Sequence, residues 1–199
     1  MNILKADITQ IRQLHKNSLS RDFPKNELRP FHMMKTLTEK NQYIVYLGYQ
    51  NHPLIGYACL LTIPQNSTTL MDYFAIEPQF RHQGNGSIFF KDIVKKYFTD
   101  FPSKNTIVIE CENPEKTTDN SEKIIRQKRI DFYVKNGAVI SNCGWCAFGV
   151  DYLLLTVTKN DLEIISENLG QTIYNLYMNS ADRLFQRIMK KNIYFYLLK

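Results

Sequence analysis

The chain has 199 residues, 44% of them hydrophobic and 22% charged, which suits one folded, soluble core with at most a small appendage. Its net charge of +6 is compatible with nucleic acid and with anionic metabolites, and does not choose between them. No run approaches the ~18 consecutive apolar residues of a membrane span, "MNILKADITQIRQLHK" lacks a signal-like segment, and Cys59, Cys111, Cys143 and Cys146 are too scattered for a secreted disulfide scaffold. A cytoplasmic protein is expected.

In chain order, a short opening strand leads into "ILKADITQIRQLHKNSLS", where Ile8, Ile11 and Leu14 recur at helical spacing. "RDFPKNELRP" interrupts the pattern with Pro24 and Pro30, and "FHMMKTLTEK" reads as a second, short helix. "QYIVYLGYQ" and "HPLIGYACLLTI" are β-rich runs around a hairpin at "QNHP", and "STTLMDYFAIEP" is a third. In the helix "SIFFKDIVKKYF", Ile88, Phe89, Ile93, Val94, Tyr97 and Phe98 are expected to form the buried face. "NTIVIECEN" has the continuous apolarity of a covered strand. "SEKIIRQKRIDFYVKNG" is a helix that Ser121 can cap and Gly137 can end. "AVIS" and "FGVDYLLLTV" are the expected last strands. From residue 158 helical periodicity takes over, with a capping-box spacing from Asn160 to Glu163. The expected division is therefore a mixed α/β domain over 1–157 and a helical extension over 158–199, packed on the domain or on a partner subunit.

The chemistry begins at "RHQGNGS", which lies between the strand "MDYFAIEP" and an immediate helix. A helix start offers unpaired N–H groups and the positive end of its dipole. A preceding turn that aims its own amides inward makes this a concave anion site. Gly84 and Gly86 permit close approach by phosphates, and Arg81 can add a charged donor at the rim.

Here the sequence resembles the GCN5-related N-acetyltransferase (GNAT) family, whose acyl-coenzyme A loop has the form Arg/Gln-x-x-Gly-x-Gly/Ala. The match is Arg81-His82-Gln83-Gly84-Asn85-Gly86. "YFAIEPQF" looks like that family's fourth strand, and "RIDFYVKNGA" is similar to its penultimate helix. The resemblance covers roughly residues 1–157. Asn85, where Ile, Leu or Val is frequent, and Ala138, where Phe is common, depart from the pattern without removing an amide from the turn. The resemblance implies a GNAT fold: a mixed central sheet with splayed parallel strands, flanked by helices. It also implies acetyl-coenzyme A as co-substrate, with no metal. Main-chain groups of Phe74, Ala75 and Ile76 would pair with the pantetheine arm, and the amides from His82 to Ser87 would hold the diphosphate.

Acyl transfer from a thioester to an amine needs an uncharged amine, a donor for the oxyanion and a proton for the departing thiolate. The resemblance makes Tyr133 the general acid, and a phenol near pKa ~10 stays protonated to do this. Two readings stay open for the strand carboxylates. Glu110 and Glu112, two apart, share a face; either serves as base, or they pair with the basic helix "KIIRQKRI". In this family the loop between the first helices often shapes the acceptor cleft, which makes Glu27 a substrate-binding candidate. Asp72 and Glu77 rank lower.

"CGWC" has redox spacing but sits between two expected strands rather than opening a helix, so Cys143 and Cys146 read as ordinary thiols in a strand connection. The lysine-aromatic tail "IMKKNIYFYLLK" suits packing or a homodimer contact better than nucleic acid or membrane. The expected activity is N-acetyl transfer to a primary amine, small-molecule or protein. The alternative is a non-catalytic acyl-coenzyme A sensor on the same fold.

Overall fold

The structure is a computed structural model and describes residues 1–25, 27–64, 66–147, 149–159, 169–181, 186–187, 190 and 192–198. The chain forms two compact units, Met1–Gln65 with Met71–Pro102, and Asn66–Leu70 with Ser103–Lys199.

In the first unit, β1 (Asn2–Lys5), β2 (Tyr43–Tyr49), β3 (Leu54–Thr62) and β4 (Thr68–Ile76, of which Met71–Ile76 falls here) lie side by side in that order. β2 runs antiparallel to β1 with Ile3 opposite Gly48, and to β3 with Val45 opposite Cys59. β2 and β3 are buried on both faces, which is why they read as continuous apolar runs rather than as alternation. α1 (Ile8–Leu14) starts at a capping box, Asp7 with Gln10, and continues through a π-helical segment (His15–Leu19) into α2 (Ser20–Asp22). Loop 23–30 leads to α3 (Phe31–Glu39).

α4 (Asn85–Asp100) buries Phe89, Phe90, Ile93, Tyr97 and Phe98. The expected face needs correction at two positions: Ile88 is 51% exposed and Val94 only half-buried, while Phe90 takes a core place. Stepping by four from Phe89 reaches Ile93 and Tyr97, and Ile88 falls on the solvent side of that stripe. Gly48 lets the helix approach, because a Cβ there would stand 2.5 Å from the Phe89 ring.

In the second unit, β5 (Thr106–Glu112), α5 (Asn120–Lys135), β6 (Val139–Ala147), β7 (Val150–Thr158), α6 (Leu169–Ser180) and β8 (Ile193–Leu197) follow in sequence. Their strands are ordered β5-β7-β6-β8, with antiparallel neighbours. Ile107, Val108 and Ile109 of β5 are buried as expected.

Three expectations are corrected in this unit. The N-cap of α5 is Asp119, whose carboxylate accepts from the amides of Ser121 and Glu122; Ser121 sits inside the first turn and donates its own hydroxyl to Asp119. The segment "CGWC" is the body of β6 rather than a connection, with Trp145 opposite Tyr152 on one side and Phe195 on the other. The last stretch is not wholly helical, since β8 pairs with β6. The capping-box spacing from Asn160 to Glu163 lies outside the described residues. Gly137 ends α5 at a φ of +98°, the left-handed conformation a helix stop requires.

Candidate active site

The strand-to-helix turn is built by successive backbone bonds. β4 ends at Ile76, Glu77 N–H donates to the Ile55 carbonyl at 2.8 Å, and one 3-10 turn (Pro78–Phe80) redirects the chain. His82 then adopts φ +61° and Gly84 φ +80°, so two left-handed residues bend the turn before α4 begins. Ser87 and Ile88 donate to the Gly84 carbonyl, the first bonds of the helix. The earlier amides have no place in the helical ladder. Gly84 is the N-cap of α4, and no described side chain caps it, whereas Asp7 caps α1 and Asp119 caps α5. His82, Gln83 and Gly84 are exposed, and a Cβ on Gly84 would meet nothing within 4 Å. The turn is thus an uncapped helix start opening onto free space. Asn85 folds its side-chain amide back to the Phe80 carbonyl at 3.0 Å, and Gln83 does the same to Gln79. Asn85 therefore strengthens the turn where an aliphatic residue would only pack.

Arg81, expected at the rim as a charged donor, is exposed there but bonded to its own chain. Its Nε donates to the Ile76 carbonyl at 2.7 Å and its Nη2 to Asp22 Oδ1 at 2.8 Å. Asp22 also accepts from Arg21 and from the Tyr57 hydroxyl. Burial opposes ionisation of Asp22, but the three hydrogen bonds outweigh it and hold the carboxyl below its usual range. Glu77 is buried and accepts from Ser18 at 2.7 Å and Arg21 at 2.9 Å. This network ties the end of the first helical segment to the turn. The sequence offered no signal for it beyond the charges themselves, because the π-helical segment shifts the register that periodicity would assign.

Phe74, Ala75 and Ile76 form the end of β4. Phe74 stacks on Phe89 at 5.5 Å and meets Phe90 edge-on at 5.6 Å. Asp72, a lower-ranked candidate, is a buried structural anion: it pairs with Arg29 at 3.0 Å and accepts from the Tyr43 hydroxyl at 2.6 Å. Glu27 is exposed on loop 23–30, with its carbonyl accepting from the Tyr73 hydroxyl at 2.7 Å.

In the second unit Tyr133 is buried on α5, with the ring of Phe132 edge-on at 5.1 Å. Burial, reinforced by Cys111, pushes its phenol well above the ordinary value, with Arg129 acting the other way. Burial also pushes the Cys111 thiol up to about 12. Glu112 is held by Arg129 at 3.0 Å and Arg126 at 3.4 Å, both from α5. Glu110 instead accepts from the Tyr177 hydroxyl of α6 at 2.7 Å. Cys143 and Cys146 are buried free thiols three residues apart on one strand, so they point to opposite faces.

A sequence profile described as the acetyltransferase (GNAT) family matches residues 8–118, more than half of the chain. The chain belongs to the acetyltransferase (GNAT) family. Solved structures of similar fold include a putative GNAT-family acetyltransferase from Bacteroides thetaiotaomicron, with a TM-score of 0.65 and 15% identity, over 89% of this chain and 97% of that one. Spermidine N-acetyltransferase from Vibrio cholerae, solved with CoA and spermine, gives 0.58 and 13%, over 79% and 94%. A putative GNAT acetyltransferase from Desulfovibrio desulfuricans gives 0.56 and 15%, over 79% and 98%. No curated protein is similar enough in sequence to count as a relative.

An acetyltransferase of this family takes its acetyl group from acetyl-CoA, and the turn fits that co-substrate. Uncapped amides at the positive end of a 16-residue helix, beside a glycine with open space around it, are what a diphosphate requires. Among the described residues no group of three or more His, Cys, Asp or Glu side chains could hold a metal ion. No helix among them is long and apolar enough to cross a membrane.

Proposed function

We propose that this GNAT acetyltransferase moves acetyl from acetyl-CoA to a primary amine by direct attack, and that the turn from Arg81 to Ser87 is its cofactor grip. The observation that carries this reading is the uncapped start of α4, open at Gly84. The amides of His82 through Gly86 receive the diphosphate, while the Ser87 amide, expected among them, is spent on the Gly84 carbonyl in the first turn of the helix. Arg81 shapes the turn from behind through Asp22 rather than reaching a phosphate itself. Main-chain groups of Phe74, Ala75 and Ile76 guide the pantetheine arm.

Tyr133 donates the proton to the leaving thiolate. Its raised pKa keeps the phenol protonated at neutral pH, as an acid must be. Of the two strand carboxylates, Glu110 removes the amine's proton, directly or through water. Glu112 is committed to two guanidinium groups, which gives it a structural role. Glu27 receives the cationic acceptor before deprotonation. The same ion pairs of Glu112 also favour the second reading, a non-catalytic acyl-CoA sensor, because they remove one of two candidate bases.

The test is thiol release from acetyl-CoA on adding a panel of amines: spermidine, lysine, phenethylamine and kanamycin. Turnover with any of them supports the enzyme. Tight CoA binding with no turnover across the panel supports the sensor. A cytoplasmic location and a homodimer belong to this proposal as well. Cell fractionation and light scattering check them.

A further inference from the structure

Three described residues of the segment that carries Glu27, namely Phe23, Glu27 and Arg29, gather on one side chain. At the start of the segment the ring of Phe23 meets the ring of Tyr73 edge-on, with centroids 4.8 Å apart. Further along, the Tyr73 hydroxyl donates to the Glu27 carbonyl at 2.7 Å and accepts from the Arg29 N–H at 2.8 Å. One residue of β4 therefore touches the beginning, middle and end of the loop. Tyr73 is itself only 6% exposed.

The end of the loop is fixed a second time. Arg29 and Asp72 form a buried ion pair, and Tyr43 donates to the same Asp72 oxygen. The beginning follows directly from Asp22, which Arg81 and Tyr57 hold. A buried ion pair is weak evidence for stability, since desolvation offsets most of the attraction. Such a support under an exposed segment is accounted for when the shape of that segment is used.

The place along β4 says what the shape is used for, and this step rests on the proposed reading of Phe74 to Ile76. A strand rises ~3.3 Å per residue, so Tyr73 stands ~10 Å from Ile76, on the side away from the turn. A pantetheine arm whose two amides pair along Phe74 to Ile76 carries its sulfur two methylenes further on. The thioester then falls level with Tyr73 and Asp72, beside the supported loop.

We propose that Tyr73 is a positioning residue for the acceptor: it fixes loop 23–29 so that the Glu27 carboxylate meets the incoming ammonium group next to the thioester. Tyr73 touches no substrate and acts through Glu27. The experiment is steady-state kinetics on the full chain with the panel amine of highest kcat/KM, comparing Tyr73→Phe, Glu27→Gln and the double variant. Losing the two hydroxyl bonds leaves the loop unpinned, so Tyr73→Phe is expected to raise the amine KM about tenfold. Its kcat and its KM for acetyl-CoA stay within about threefold. The double variant is no worse than Glu27→Gln alone, because both act through one carboxylate. Arg29→Lys, which loses the fork to Asp72 but keeps the charge, gives the same selective rise and serves if Tyr73→Phe fails to fold.

Additive effects, or an amine KM that does not move in Tyr73→Phe while the unaltered chain turns over, overturn this inference and leave acetyl transfer standing. No turnover with any amine overturns the acetyl-transfer reading, and this inference with it.

Discussion

Gly84 separates two effects that a loop substitution usually mixes. Its φ of +80° is left-handed, a conformation that costs an ordinary L-residue ~1–2 kcal/mol. A Cβ there meets nothing within 4 Å, so Gly84→Ala introduces strain but no clash in the free protein. At ~2–4 °C per kcal/mol for a chain of this size, the melting temperature should fall by roughly 2–8 °C. Gly84→Asn, a residue that tolerates the left-handed region, should lose less. Both substitutions set a side chain over the amides from His82 to Gly86. A hydrogen bond to a charged phosphate is worth ~1.5–3 kcal/mol. Displacing one of them weakens CoA binding by about 10- to 150-fold. Calorimetric titration with CoA and a thermal scan, run on both variants, give the two quantities separately. The expected pattern is weakened binding in both and a clear stability loss only in Ala. An Asn variant that keeps full CoA affinity would refute the argument that the turn grips the diphosphate.

Removing the Tyr133 hydroxyl with Phe should lower kcat by about 10²–10⁴, the range of general acid–base catalysis, with the Kd for CoA unchanged; stopped-flow thiol release checks this, and full turnover would strip Tyr133 of its role. Glu112→Gln should leave kcat within threefold and lower stability by at most ~1 kcal/mol, since its partner Arg129 is 47% exposed; a collapse of kcat in single-turnover kinetics would make Glu112 the base instead. Asp22 gives a pH test. Its carboxyl titrates lower in the folded chain than in the unfolded one, so the unfolded state binds more protons at acid pH. The stability it supplies is complete above about pH 4 and is lost as the pH falls through its folded value. Urea midpoints of the unaltered chain should therefore drop on acidification, and those of Asp22→Asn should drop less; parallel curves would contradict the network read around Arg81.

The sequence made the turn legible because its chemistry is local: strand, two glycines and a phased helix are adjacent in the chain, and all three stand where expected. The helix faces were nearly legible, and the exchange of Ile88 for Phe90 shows the limit, since two aromatics one step apart share a core that periodicity assigns to one of them. The roles of the acidic residues were not legible. Whether Glu112 meets substrate or Arg126 and Arg129 depends on how α5 lies over β5, and no spacing within "IVIECEN" records that. Likewise Asp22 and Tyr73 act through partners 35 to 59 and 44 to 46 residues away. Ser121 lost the cap of α5 because Asp119, two residues earlier, accepts from the same amides with a full charge. "CGWC" misled through its cysteine spacing: Trp145 and its ring partners Phe195 and Tyr177 make it core strand. The residues that reveal this lie in the tail, where β8 interrupts the helical pattern.

Comparison of CoA with pantetheine by calorimetry tests the central claim most directly, because the two share the thiol arm and differ in the nucleotide and its phosphates. If the start of α4 holds the diphosphate, CoA should bind at least about 100-fold more tightly than pantetheine. Equal affinities, or no heat from CoA at millimolar concentration, would contradict it.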